Sequence, residues 1–183
     1  MYNVRGIFYT ALVEISRDRK KYIFLTLFLV CVNFFFDRLT KILAETYLKG
    51  SGSLRFLNDT IILTYTENRG SFLSLGADWN IYIKYCVLLV IPVVTCIFAL
   101  LYLVRRETKL YRIITGSCII GGGFGNLADR FFGNFTVVDF LNFGIGNIRT
   151  GILNSADMSV TFGIIAFFIF ETRAKKRGKL GGL

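Results

Sequence analysis

The hydrophobic positions of this chain gather into four long runs. The first is about Tyr22–Thr40 (YIFLTLFLVCVNFFFDRLT) and the second about Ile81–Val104. A third begins near Tyr111 (YRIITGSCIIGGGFGNLADRFF), and a fourth covers about Ile152–Phe170 (ILNSADMSVTFGIIAFFIF). Each run is close to the ~20 residues that cross ~30 Å of hydrocarbon. The last two carry polar residues, mostly nearer one end. The pattern predicts an all-α membrane protein with four transmembrane helices. Two connections contain strand-like sequence. Thr60–Thr66 (TIILTYT), between the first two runs, is rich in β-branched residues and predicts a strand. NFTVVDFLNFGIG, between the last two, is apolar but glycine-punctuated. It reads as strand or as chain lying at the membrane surface. The two loops, about residues 41–80 and 131–151, are expected to form a small extracytoplasmic β-sheet subdomain on the helices. No repeat or linker divides the chain, so residues 1–183 are expected to be a single integral-membrane domain.

Composition narrows the class. Hydrophobic residues make up 54% and charged residues 19%, with one proline. That excludes a disordered or collagen-like chain and argues against a soluble globule. The net charge of +10 comes from 22 Lys+Arg against 12 Asp+Glu. Its basic residues adjoin the apolar runs, so the charge reads as membrane topology and not as nucleic-acid binding. One cluster (Arg17, Arg19, Lys20, Lys21) precedes the first run. Another (Arg105, Arg106, Lys109, Arg112) joins the second and third, and the tail holds Arg173, Lys175, Lys176, Arg177 and Lys179. An even number of spans puts all three clusters on one side. The positive-inside rule makes that side cytoplasmic, with both termini inside. Residues 1–21 show no secretory signal and form a basic leader. Phe8, Leu12 and Ile15 recur at helical spacing there, so a short interfacial helix and an irregular segment both fit. Residues 172–183 are expected to be a basic cytoplasmic tail.

Histidine is absent, which removes His-based triads and the common zinc-protease arrangement. Cys31, Cys86, Cys96 and Cys118 lie in apolar stretches without a CxxC pair and read as buried, inert thiols. Ionisable groups inside a span are costly, so each implies function or pairing. The topology places those of this chain near the outer side. Asp37 and Lys41 lie one helical turn apart and read as an ion pair fixing a helix end. Asn126, Asp129 and Arg130 share a face of the third run, below Gly121 and Gly125, whose spacing admits a close neighbouring helix. Asn68, Arg69 and Gly70 follow the first predicted strand. Asn68 fits either a turn before glycine or a contact to bound peptide. Trp79, Tyr82 and Tyr85 fit an interfacial aromatic belt in part.

Asp139 sits in the second outer loop. Asn154 and Asp157 share a face of the fourth run, with Asp157 expected about a third of the way in from the outer surface. The loop is long enough to bring Asp139 back to Asp157. Two carboxylates in an apolar setting share one proton near neutral pH, giving an acid and a base from one residue type. The base suits activation of water and the acid suits the oxygen of a tetrahedral intermediate. An unrelated helix cap and surface-loop aspartate give the same spacing.

At these residues the chain resembles the lipoprotein signal peptidase, or signal peptidase II, family of bacterial membrane aspartic proteases. Five segments match in order: Asp37-Arg38-Leu39-Thr40-Lys41, Asn68-Arg69-Gly70, Gly125–Arg130 (GNLADR), Val137–Phe140 (VVDF) and Asn154-Ser155-Ala156-Asp157. The resemblance implies that Asp139 and Asp157 are the catalytic pair. It implies that Asn68, Gly70, Asn126, Asp129, Arg130, Asn154, Asp37 and Lys41 bind substrate or support the pocket. It implies cleavage before a diacylglyceryl-modified cysteine of prolipoproteins in the bacterial inner membrane, with the site near the extracytoplasmic face. Membrane lipid and globomycin-type inhibitors are implied partners. No metal or cofactor is expected, and a monomer is the default. Leu153 stands where the family usually has phenylalanine, and Arg38 where glutamine is frequent. Phe72 and Leu73 also depart from the usual pattern and bear on the substrate groove. Apart from the resemblance, a small four-span transporter or channel-like protein using the same charges is the main alternative, and a scaffold holding a partner helix is a third reading.

Overall fold

A computed structural model describes residues 4–71 and 74–180, with side chains for 19–71 and 74–177. The apolar runs fold as four long helices: α1 (Val4–Leu48), α2 (Ile81–Arg106), α3 (Leu110–Phe132) and α4 (Ser155–Leu180). The backbone of the basic leader from Val4 onward continues into α1. The Phe8, Leu12 and Ile15 face lies outside the described side chains, as do Phe72 and Leu73 altogether.

Three helices, and not the expected four, are long and apolar enough to cross a membrane among the described residues: Arg19–Leu48, Ile81–Arg106 and Ser155–Arg177. The third run, α3, is not among them. Its place in the bundle is the reason. It packs against α1, α2 and α4, and nine of its residues are buried, Thr115, Ser117 and Asp129 among them. A helix enclosed by protein needs less apolar surface than one facing lipid, and can carry glycine and polar residues where neighbours satisfy them. A side chain on Gly121 would place Cβ 2.6 Å from Asn33 Cβ and 2.9 Å from the Val30 carbonyl oxygen of α1. On Gly122 it would come 2.6 Å from the Ala156 carbonyl oxygen of α4. Glycine is what lets both helices approach.

Pro92, the only proline, shapes α2. It has no N–H to donate, and its ring crowds the carbonyl four residues earlier. The helix answers with a wider π-helical stretch at Tyr85–Val90, immediately before it. Cys31 and Cys86 lie exposed on the apolar flanks, not buried as the sequence suggested, while Cys96 and Cys118 are half-buried.

Polar contacts tie the bundle together at one end. Arg19 Nη2 donates to the Val104 carbonyl at 2.9 Å, placing the apolar part of α1 beside the end of α2. Arg112 Nη2 pairs with Glu171 at 2.8 Å, placing the start of α3 beside the end of α4. Glu107 caps α3 by accepting from the Thr108 and Lys109 N–H groups at 2.9 and 2.8 Å. Arg19–Lys21, Arg105–Arg112 and Arg173–Arg177 therefore lie at this end.

The opposite end carries an antiparallel sheet of order β1-β2-β3-β4. The first loop supplies β1 (Leu54–Phe56) and β2 (Ile61–Asn68), and the second supplies β3 (Val137–Ile145) and β4 (Ile148–Arg149). α1 runs past the expected Thr40 to Leu48. Its last turns bury Ala44 and Leu48 against Phe140, Leu63 and Tyr65 of the sheet. Gly121→Ala and Gly122→Ala are each expected to destabilise the protein by about 1–3 kcal/mol through overpacking against backbone. Thermal unfolding in detergent micelles measures this, and an unchanged midpoint would show that α3 is not closely packed there.

Candidate active site

The turn after α3 aims β3. The Gly133 N–H donates to the Asp129 carbonyl at 2.6 Å. Asn134 and Phe135 then adopt left-handed φ values of 50° and 64°. A bulky residue avoids that region, but the Phe135 ring is buried edge-on against Tyr85, centroids 4.7 Å apart. The chain leaves this turn into β3, where Asp139 lies opposite Thr66 of β2. The returning chain closes the loop. Leu141 and Leu153 exchange backbone hydrogen bonds, each 2.7 Å. The next residue, Asn154, is thereby set beside Asp139.

Asn154 is the N-cap of α4. Its Oδ1 accepts from the Asp157 N–H at 2.9 Å, and Asp157 Oδ2 accepts from the Asn154 N–H at 3.1 Å. This reciprocal pair is a capping box. It places Asp157 in the first turn of the helix. The apolar run starts at Ile152, but the helix starts only after its cap.

The same asparagine reaches Asp139. Asn154 Nδ2 donates to Asp139 Oδ1 at 2.6 Å and to Asn126 Oδ1 at 3.1 Å. Asn126 Nδ2 donates to Asp157 Oδ1 at 2.8 Å. Asn68 Nδ2 donates to Asp139 Oδ2 at 3.0 Å, while its Oδ1 accepts from the Gly70 N–H at 2.9 Å. Arg130 Nη2 donates to the Gly70 carbonyl at 3.0 Å, tying α3 to that turn. Both aspartates, the three asparagines and Arg130 face one cavity of about 570 Å³, walled on the apolar side by Pro92, Cys96 and Val160. A larger cavity of about 630 Å³ between α1, α2 and α3 is lined by apolar side chains and Cys31, and offers no acid or base.

Asp37, Lys41 and Asp129 do not line that cavity. They form a buried charge cluster behind it. Lys41 Nζ lies 2.9 Å from Asp37 Oδ2 and 2.6 Å from Asp129 Oδ2. Arg38 bridges the same two carboxylates and donates to the Gly125 carbonyl at 3.1 Å. Lys41 Nζ also donates to Asn126 Oδ1 at 2.9 Å, which joins the cluster to the site. Asp37 does more than pair with Lys41. Its Oδ1 accepts from the Ser155 hydroxyl at 3.0 Å and the Ala156 N–H at 2.9 Å, capping α4 from α1.

Three participants were not singled out from the residues: Arg38 as a bridge, Ser155 as a link to Asp37, and Asn33, which accepts from Ser159 of α4. Asn33 carried the only available signal, a carboxamide in an otherwise apolar run. Arg38 and Ser155 have partners that only packing supplies.

Burial pushes the Asp139 carboxyl up to about 6. Hydrogen bonds from Asn68 and Asn154 oppose this, and the negative charge of Asp157 adds to it. The folded protein thus favours protonated Asp139. That stabilisation is complete below the ordinary carboxylate value and is lost as pH rises through about 6. The stability of Asp139→Asn relative to the parent is expected to rise by about 2 kcal/mol between roughly pH 4 and pH 7. Denaturant unfolding in micelles at both pH values tests it, and a pH-independent difference would contradict the assignment.

The chain is similar to known proteins over most of its length. Residues 29–173 match the family described as signal peptidase (SPase) II. The lipoprotein signal peptidase of Borrelia hermsii is 34% identical over 165 residues, covering 87% of this chain and 96% of the relative. That of Borrelia turicatae is 33% identical over 172 residues, covering 90% and 98%. A bacterial membrane enzyme solved by the in meso method shares the fold, with a TM-score of 0.70, 22% identity, and coverage of 83% of this chain and 90% of that one. A second such structure has a TM-score of 0.67 at 23% identity, covering 79% and 90%. With this match across both the helices and the sheet, the chain belongs to the signal peptidase II family and is a multi-pass bacterial membrane protease of the aspartic type.

Proposed function

We propose that the protein removes signal peptides from prolipoproteins by hydrolysing the bond before a diacylglyceryl-modified cysteine, with Asp157 as base and Asp139 as acid. The observation that carries this reading is Asn154. It donates to Asp139 from its side chain and to Asp157 from its backbone, on the floor of one cavity. Like charges facing one cavity repel, which favours a proton on one of them. Asp139 is the more buried, and burial favours its protonated form.

In the reaction, Asp157 takes a proton from a water as its oxygen attacks the scissile carbonyl carbon. Asp139 hydrogen-bonds or protonates the developing oxyanion. The tetrahedral intermediate then collapses. The carbon–nitrogen bond breaks, the cysteine nitrogen leaves with the proton held by Asp157, and the gem-diol proton returns to Asp139. Arg130 and Asn68 hold the rim beside the scissile bond. The apolar wall at Pro92, Cys96 and Val160 suits the signal-peptide helix and the acyl chains. The family supports lipoprotein precursors as the substrate class, since the relatives in Borrelia bear the name lipoprotein signal peptidase. Globomycin-type peptides would occupy the same cavity, and one chain contains all of its lining.

Orientation follows from charge. The three basic clusters lie at the end away from the sheet, and the positive-inside rule makes that end cytoplasmic. The sheet and the cavity then face outward, where lipoprotein precursors present their cleavage site.

Asp139→Asn and Asp157→Asn are each expected to lower signal-peptide release from a diacylglyceryl precursor by about 1,000-fold, with the fold intact. Gel-shift assay of the precursor in proteoliposomes reads this out. Turnover near the parent level in either folded variant would refute the pair.

A further inference from the structure

Three asparagine amides surround the two aspartates, and their orientation decides what each carboxylate meets. Turning a carboxamide over exchanges a donor for an acceptor. Two of the three are fixed by main-chain donors. The Gly70 N–H points at Asn68 Oδ1 and the Asp157 N–H at Asn154 Oδ1, both at 2.9 Å. A backbone N–H only donates, so neither oxygen can exchange with its nitrogen without loss. Among the described residues no backbone N–H reaches the Asn126 side chain.

What holds Asn126 is an ammonium. Its Oδ1 accepts from Lys41 Nζ at 2.9 Å and from Asn154 Nδ2 at 3.1 Å, leaving Nδ2 to donate to Asp157 Oδ1 at 2.8 Å. The reverse orientation would set an NH2 against the Lys41 ammonium and against the Asn154 amide. It would also set a carbonyl oxygen against the Asp157 carboxylate. Lys41 is itself immobilised, 3% exposed and paired with Asp37 and Asp129. Arg38 shares both of those carboxylates. The hydrogen bond that Lys41 Nζ donates goes to Asn126 Oδ1, alongside its ion contacts to the two carboxylates.

We propose that Lys41 is a positioning residue for hydrolysis. It fixes the Asn126 amide in one orientation, which delivers an N–H to Asp157 Oδ1 and turns the remaining lone pairs of that carboxylate toward the cavity. The inference rests on the reading of Asp139 and Asp157 as the reacting pair. Lys41 makes no ion pair with either of them; its charge reaches Asp139 only through space and opposes the proton there, while its one bonded path to the pair runs through Asn126.

The test compares Lys41→Met with the double variant Lys41→Met/Asp129→Asn, using the full chain in proteoliposomes and a diacylglyceryl precursor. Lys41→Met is expected to lower kcat by about 100-fold with KM within about twofold. The double variant removes one of the two carboxylates that lost the ammonium, leaves Arg38 to balance Asp37, and keeps an amide oxygen at position 129. It is expected to recover the thermal midpoint while staying as slow as Lys41→Met. A double variant whose kcat recovers together with its stability overturns the proposal, because the loss was then one of buried charge. A kcat within about twofold of the parent in either variant also overturns it. So does a double variant that fails to fold, which assigns Lys41 to the scaffold alone. Failure of the underlying reading looks different: Asp139→Asn or Asp157→Asn would then cleave normally.

Discussion

Two carboxylates and one lysine are buried together where α1 crosses α3, with half-buried Arg38 bridging the carboxylates, and none of the buried three can be left alone. Asp37 and Lys41 are 1% and 3% exposed. An unpaired charge at that depth costs several kcal/mol, and removing one member of a buried pair typically costs about 3–5 kcal/mol. The cluster therefore has a single workable arrangement. It requires one face of α1 to meet the Asp129 turn of α3. The same Asp37 carboxylate also accepts the Ala156 N–H, so the start of α4 is tied to the same point. The position of Asp157, three residues into the capping box, follows from a charge on a different helix.

Close approach makes this cluster possible. Gly121, Gly122 and Gly125 remove the side chains that would keep α1 and α4 away from α3, and the polar groups then come within hydrogen-bond range. The bundle supplies Asn126 and Asp157, and the sheet supplies Asn68 and Asp139. Asn154 stands at the junction, bonded to both sets. The two aspartates consequently sit in different surroundings. Asp139 lies buried on a strand, with its proton favoured by desolvation. Asp157 is half-buried at a helix start, between a backbone N–H and a carboxamide. On the proposed mechanism, that difference in surroundings divides acid and base between two like residues.

Much of this was legible in the residues. The apolar runs give helices because their lengths and continuity leave no alternative in a membrane. TIILTYT gives β2 because its β-branched residues suit a pleated surface. The Asp37–Lys41 spacing gives an ion pair because positions four apart meet on a helix. The ordered motifs point to the family. The failures share one cause. The third run was read as a span by length, yet its glycines and polar groups are those of a helix enclosed by three others. The fourth run was read from Ile152, where apolarity begins, while the helix begins at a cap two residues later. Arg38 had no readable partner, since Asp129 lies on another helix.

The sequence by itself determined the membrane class, the approximate helix positions, one sheet strand and the identities of the polar residues. These depend on composition and on periodicity within one segment, which a linear pattern contains. Only the tertiary structure decided which polar groups meet. The fold-back of Leu153 on β3, the capping of α4 by Asp37 and the orientation of the Asn126 amide all depend on contacts between segments far apart in the chain. Local spacing carries no information about such contacts. Burial and the satisfaction of every buried charge select them only when the whole bundle closes.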